Sequence, residues 1–94
     1  MLNWMLSDPM QALVDGLERL GGRAQESTLC DEAASRGENS AYGARAHFGK
    51  AIRELRDRGI IRGEMVGTRR IWSFTEEAAA ERGYTAAQGP EGLF

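Results

Sequence analysis

At Gly59 the spacing of apolar residues changes from the helical period of about 3.6 to the strand period of about 2. That change divides the chain into a helical part and a β-hairpin and limits how they can be joined. Residues 60–66 and 69–75 flank Gly67-Thr68, a two-residue loop with glycine first that favours a tight hairpin turn. The implied register pairs Val66 with Arg69, Met65 with Arg70, Gly63 with Trp72 and Ile61 with Phe74. One face then carries Ile61, Gly63, Met65, Trp72 and Phe74, with the indole of Trp72 over the space left by Gly63. A slip of one residue would turn these apolar groups to solvent, so the agreement of faces supports the register.

Before Gly59, residues 42–58 (YGARAHFGKAIRELRDR) read as a helix. Ala44, Phe48, Ala51, Ile52 and Leu55 form its buried stripe at steps of three and four. The opposite side holds Tyr42, Arg45, Ala46, Gly49, Lys50 and Arg53. It combines cations with the two smallest residue types. Charge meets phosphates, and short side chains let a backbone approach a groove closely. His47 falls on the flank of this helix, near the core boundary.

Net charge is −2, but its distribution is uneven. Residues 42–72 hold eight cations against three acids, and the segments on either side are acidic. Seven of the eight are Arg, the residue suited to bidentate phosphate and guanine contacts. Arg69 and Arg70 sit beside the hairpin tip, whereas Arg56 and Arg58 suit the helix C-terminus or ion pairs.

In the remainder, Asp8-Pro9 marks a helix start, with Asp8 as N-cap and Gln11 at capping-box spacing. Met10, Leu13, Val14, Leu17 and Leu20 form the stripe of this first helix, and Gly21-Gly22 ends it. Residues 23–25 are an extended link or a minimal strand. Ser27 or Glu26 opens a second helix that buries Leu29, Cys30, Ala33 and Ala34 and closes at Gly37. Asn39 or Ser40 caps the third helix. Thr75 caps a short last helix that begins with Glu76-Glu77 and ends at Gly83.

With 94 residues the chain is expected to form one domain. The expected organisation is an apolar N-terminal segment (1–8), a folded domain (9–83) and a loosely ordered tail (84–94). Leu2, Trp4, Met5 and Leu6 are too apolar for a free tail and pack on the core or on a second copy, as in a homodimer. The start lacks a basic flank and a small-residue cleavage site, so no secretory signal is expected. No apolar run is long enough for a membrane span. A single cysteine excludes an intrachain disulfide and a multi-thiolate zinc site and fits a cytoplasmic location. No nucleophile motif, phosphate loop or metal-ligand spacing is present, so neither catalysis nor a cofactor or metal is expected.

The order of helix, short strand, helix, turn, basic helix and hairpin resembles the winged helix-turn-helix family, over roughly residues 9–83. The most specific part is residues 51–75, AIRELRDRGIIRGEMVGTRRIWSFT. The resemblance implies an α+β winged helix: a three-helix core with a β-hairpin wing and a short C-terminal helix. It also implies a small DNA-binding protein, a transcriptional regulator whose partner is double-stranded DNA. Helix 42–58 would enter the major groove and the 60–75 hairpin would lie on the backbone. Tyr42, Arg45, Lys50 and Arg53 would face bases and phosphates, Ala46 and Gly49 would permit the close approach, and Arg69 and Arg70 would be wing contacts. The alternative function is a winged-helix module that binds protein, as an assembly factor or an inhibitor of a nucleic-acid machine.

Overall fold

The computed structural model of the protein describes residues 1–35 and 44–84, and of residues 44–47 the backbone alone. Within them the chain is α+β, with four helices and a three-stranded antiparallel sheet. The helices are α1 (Asp8–Arg19), α2 (Glu26–Ala34), α3 (Ala44–Asp57) and α4 (Glu76–Arg82). The strands are β1 (Arg23–Gln25), β2 (Ile61–Val66) and β3 (Arg69–Phe74), in the order β1-β3-β2. Helices α1, α2 and α3 pack on one another, and the sheet packs against α2 and α3.

The start of α1 lies one residue earlier than expected. Ser7, not Asp8, is the N-cap: its backbone is extended and its hydroxyl accepts from the Met10 amide at 3.4 Å. Its carbonyl already accepts from the Gln11 amide at 2.9 Å, which fixes where the helix begins. Asp8 is thereby the first helical residue, placed well for the helix dipole. The Gln11 side chain donates to Asp15 at 2.9 Å and closes no capping box. The glycine stops form as expected. Gly21 and Gly22 have φ of 87° and 90°, and their amides donate to Glu18 and Leu17 carbonyls, the paired bonds of a Schellman end. Gly59, at φ 79°, ends α3 in the same way, its amide bonded to Arg56 and that of Ile60 to Leu55.

Residues 23–25 are a strand of the sheet rather than a link. Arg23, Ala24 and Gln25 pair with Ser73, Trp72 and Ile71. Helix α2 opens at Glu26, after Gln25 as a cap that makes no side-chain bond. The expected stop at Gly37 and the caps Asn39 and Ser40 lie outside the described residues. The hairpin register matches the expected one at every pair from Ile61–Phe74 to Val66–Arg69. Gly67 has φ 65° and Thr68 is not left-handed, so the turn is of the glycine-first kind. Trp72 lies between Ala24 on one neighbour and Gly63 on the other. A Cβ at Gly63 would lie 2.8 Å from the indole Cζ3, so the ring does occupy the space that this glycine leaves. Met65 departs from the expected apolar face: it shares the side of Trp72 but is 58% exposed, because the hairpin tip runs past the core.

The core joins Met10, Leu13, Val14 and Leu17 of α1, Leu29, Cys30 and Ala33 of α2, and Phe48, Ile52 and Leu55 of α3 to Ile60, Ile61, Trp72, Phe74 and Ala78. Thr75 ties the end of α3 to the start of α4. Its hydroxyl accepts from the Ala78 amide at 3.1 Å and donates to the Gly59 carbonyl at 2.6 Å. The N-terminal segment packs on its own chain. Leu2, Trp4 and Leu6 lie half-buried against the core, and Met1 and Met5 face outward. The Trp4 indole donates to Glu81 at 2.9 Å, and the guanidinium of Arg82 lies 4.3 Å from its ring centre. Arg58 pairs with Glu54 at 3.2 Å and donates to the carbonyls of Asn3 and Met5. Tyr84, the first residue of the segment expected to be loose, stacks on Phe74 with centroids 4.5 Å apart. Among the described residues, no helix is long and apolar enough to cross a membrane.

Candidate functional site

The end of α3, the start of α2 and the hairpin tip border two adjoining clefts. The smaller, of about 150 Å3, is lined by Glu26, Gly49, Ile52, Arg53, Arg56, Arg70 and Trp72. The larger, of about 450 Å3, is lined by Gln25, Glu26, Ser27, Met65, Thr68, Arg69 and Arg70. They share Glu26 and Arg70 and so form one trench, bordered by four arginines, two from α3 and two from β3.

Local structure accounts for the arrangement. The buried stripe of α3 fixes its rotation, because Phe48, Ala51, Ile52 and Leu55 all face the core. Gly49 and Arg53 follow one another at four residues on the flank beside the hairpin. A Cβ at Gly49 would meet nothing within 4 Å, so the space beside this turn of helix is open. The two-residue loop keeps Arg69 and Arg70 at the start of β3 and therefore at the tip. The guanidinium of Arg70 lies 5.9 Å from the ring centre of Trp72.

Of the eight residues that the sequence singles out, Gly49, Arg53, Arg69 and Arg70 line the trench. Lys50 is exposed on α3 next to it. Tyr42 lies outside the described residues, as do the side chains of Arg45 and Ala46, though α3 carries the backbone of both; the side chain of His47 is likewise not described. Among the described residues, Lys50, Arg53, Arg69 and Arg70 form no ion pair with an acid. Arg58 is engaged with Glu54 and the N-terminal segment, and Arg62 lies on the opposite face of the sheet, in the row of Arg23 and Ser73.

Three features of the trench escaped sequence reasoning. Arg56, assigned to the helix end, does pair with Asp57 at 3.2 Å but also lines the smaller cleft. Met65 and Thr68 line the larger one. Glu26 stands where the clefts meet, its Oε1 accepting from the Trp72 indole at 2.9 Å. The pairing of Gln25 with Ile71 carries the next residue, Glu26, towards Arg70. That proximity follows from the β1–β3 register, which no short motif announces. Among the described residues, no three His, Cys, Asp or Glu side chains gather as a metal-holding group.

No family model, no curated protein and no solved structure matches this chain.

Proposed function

We propose that the protein is a small winged-helix DNA-binding protein of the transcriptional-regulator kind. In this reading α3 lies in the major groove and the β2–β3 hairpin acts as a wing on the backbone. The observation that carries it is the convergence of Arg53 and Arg56 from α3 with Arg69 and Arg70 from the hairpin on one trench. Lys50 adds an exposed charge beside them, and Gly49 leaves the helix surface open for close approach. The guanidinium groups supply phosphate contacts and bidentate base contacts, and the acidic segments on either side leave the positive charge concentrated in residues 42–72.

Fluorescence anisotropy with duplex DNA over a salt series tests the proposal. Each phosphate contact contributes about 0.9 to the slope of log K against log salt, so Arg53→Ala and Lys50→Ala should each weaken binding and lower the slope by roughly that amount. A wild-type affinity that does not depend on salt, or that neither substitution changes, would sink the proposal.

A protein-binding winged-helix module is the second reading. It is favoured by Met65 and Val66, 58% and 52% exposed at the hairpin tip. A stable protein complex that Met65→Lys abolishes, together with no DNA binding at low salt, would select it.

A further inference from the structure

A carboxylate where two arginine-lined clefts meet calls for a reason. Glu26 is the first residue of α2, where a negative charge favours the helix dipole. That role needs neither a fixed side-chain orientation nor a place in the trench, and Glu26 has both. Its Oε1 is held by the indole N–H of Trp72, a residue 2% exposed and set between Ala24 and Gly63. No hydrogen bond to the other carboxylate oxygen is formed among the described residues. Arg53, Arg56 and Arg70 line the same cleft and Arg69 the adjoining one, yet none forms an ion pair with Glu26. The charge therefore stays available to whatever enters.

A phosphate seated against Glu26 would be repelled by it. The group that fits is a hydrogen-bond donor, presented between anionic groups that the arginines hold. On duplex DNA that description is met in the major groove by the exocyclic amines of cytosine (N4) and adenine (N6). We infer that Glu26 is a specificity-determining residue that reads an exocyclic amino group of a base through its free oxygen. This rests on the DNA-binding reading above. Glu26 also penalises any placement that brings a phosphate to the junction of the clefts, so it selects register as well as base.

The Trp72 bond makes Glu26→Gln a sharp test. Gln has one acceptor oxygen, and the indole N–H claims it. The amide NH2 is left where the free carboxylate oxygen stood. A donor then replaces an acceptor with the fold kept, which an unchanged melting temperature would verify. The experiment selects duplexes from a pool with a randomised core, using wild-type protein and Glu26→Gln at one salt concentration. At one position wild type should favour an amino base, and the variant should favour a keto base (thymine O4 or guanine O6). Replacing the preferred adenine by purine, or cytosine by pyrimidin-2-one, should weaken wild type about tenfold and leave the variant within about threefold. Identical sequence preferences in the two proteins, or equal losses on amine deletion, would overturn the inference while leaving DNA binding intact. Salt-dependent binding without any base preference would do the same. Absence of salt-dependent affinity for every duplex would overturn the DNA-binding reading itself, and this inference with it.

Discussion

Gly63→Ala inserts a single methyl group against the indole ring of Trp72. The Cβ would lie 2.8 Å from Trp72 Cζ3 and 3.1 Å from Cε3 and Cη2, all atoms of one rigid ring. The ring has little room to retreat, because Trp72 is 2% exposed, neighbours Ala24 on the other side and is tied to Glu26. Overpacking of this kind costs about 1–3 kcal/mol. Gly63 does not have a positive φ, so alanine suits the backbone and recovers about 0.4–1 kcal/mol by restricting the unfolded chain. The net expectation is a loss of about 1–2 kcal/mol, and a fall in Tm of about 5–15 °C for a domain of this size. Urea and thermal denaturation followed by circular dichroism measure it. In a Trp72→Leu background the ring is absent, and Gly63→Ala should then cost less than about 0.5 kcal/mol, giving a coupling energy of at least about 0.5 kcal/mol. Equal costs in the two backgrounds would show that the indole does not oppose the methyl group. Because the same ring holds Glu26, Gly63→Ala should also change base preference in the duplex selection described for Glu26→Gln.

Thr75→Val removes the hydroxyl that caps α4 and donates to Gly59, and should destabilise by about 1–2 kcal/mol, whereas Thr75→Ser should recover most of that loss; equal stability of the Val and Ser variants would contradict it. The Trp4 indole N–H chiefly, with the Leu2 amide in support and burial opposing, holds the Glu81 carboxyl below its ordinary value of 4.5. A carboxyl lowered in the folded state stabilises fully above its unfolded pKa, and that contribution is lost as pH falls through the folded value. The stability difference between wild type and Glu81→Gln should therefore narrow as pH falls below the ordinary value of 4.5 and through the lowered folded one, and a constant gap in urea titrations would refute the role of this carboxylate.

The parts of the fold that were legible in the sequence are those set by neighbours within a few residues. Gly67-Thr68 and the alternation around it fixed the hairpin register, since loop length and facing leave one pairing. The stripe of Phe48, Ala51, Ile52 and Leu55 set the rotation of α3, and glycines at 21, 22, 59 and 83 marked ends that need a left-handed backbone. The cap of α1 was misplaced by one residue because Ser7 and Asp8 both favour that position, and the choice rests on which carbonyl accepts the first helical bond. Gly49, Arg53, Arg69 and Arg70, which line the trench, were singled out from charge, side-chain size and spacing, properties that a sequence displays directly.

Local chemistry alone could not supply the partners that lie far along the chain. A three-residue strand has too few residues to declare its pairing, so residues 23–25 read as a link or a strand until the pairing with β3 decided for β1. With it came Glu26 against Trp72, 46 residues away, and the junction of the two clefts. The N-terminal apolar residues announced that they would be covered, but whether by the core or by a second copy depended on Glu81, Arg82 and Arg58 meeting in space. The sequence by itself thus determined the elements, their ends and the positive charge on α3 and the hairpin, because these are written in short-range periodicity and turn chemistry. Tertiary packing decided which arginines face one another and which acid stands between them, since contacts across dozens of residues follow from how the buried faces fit together.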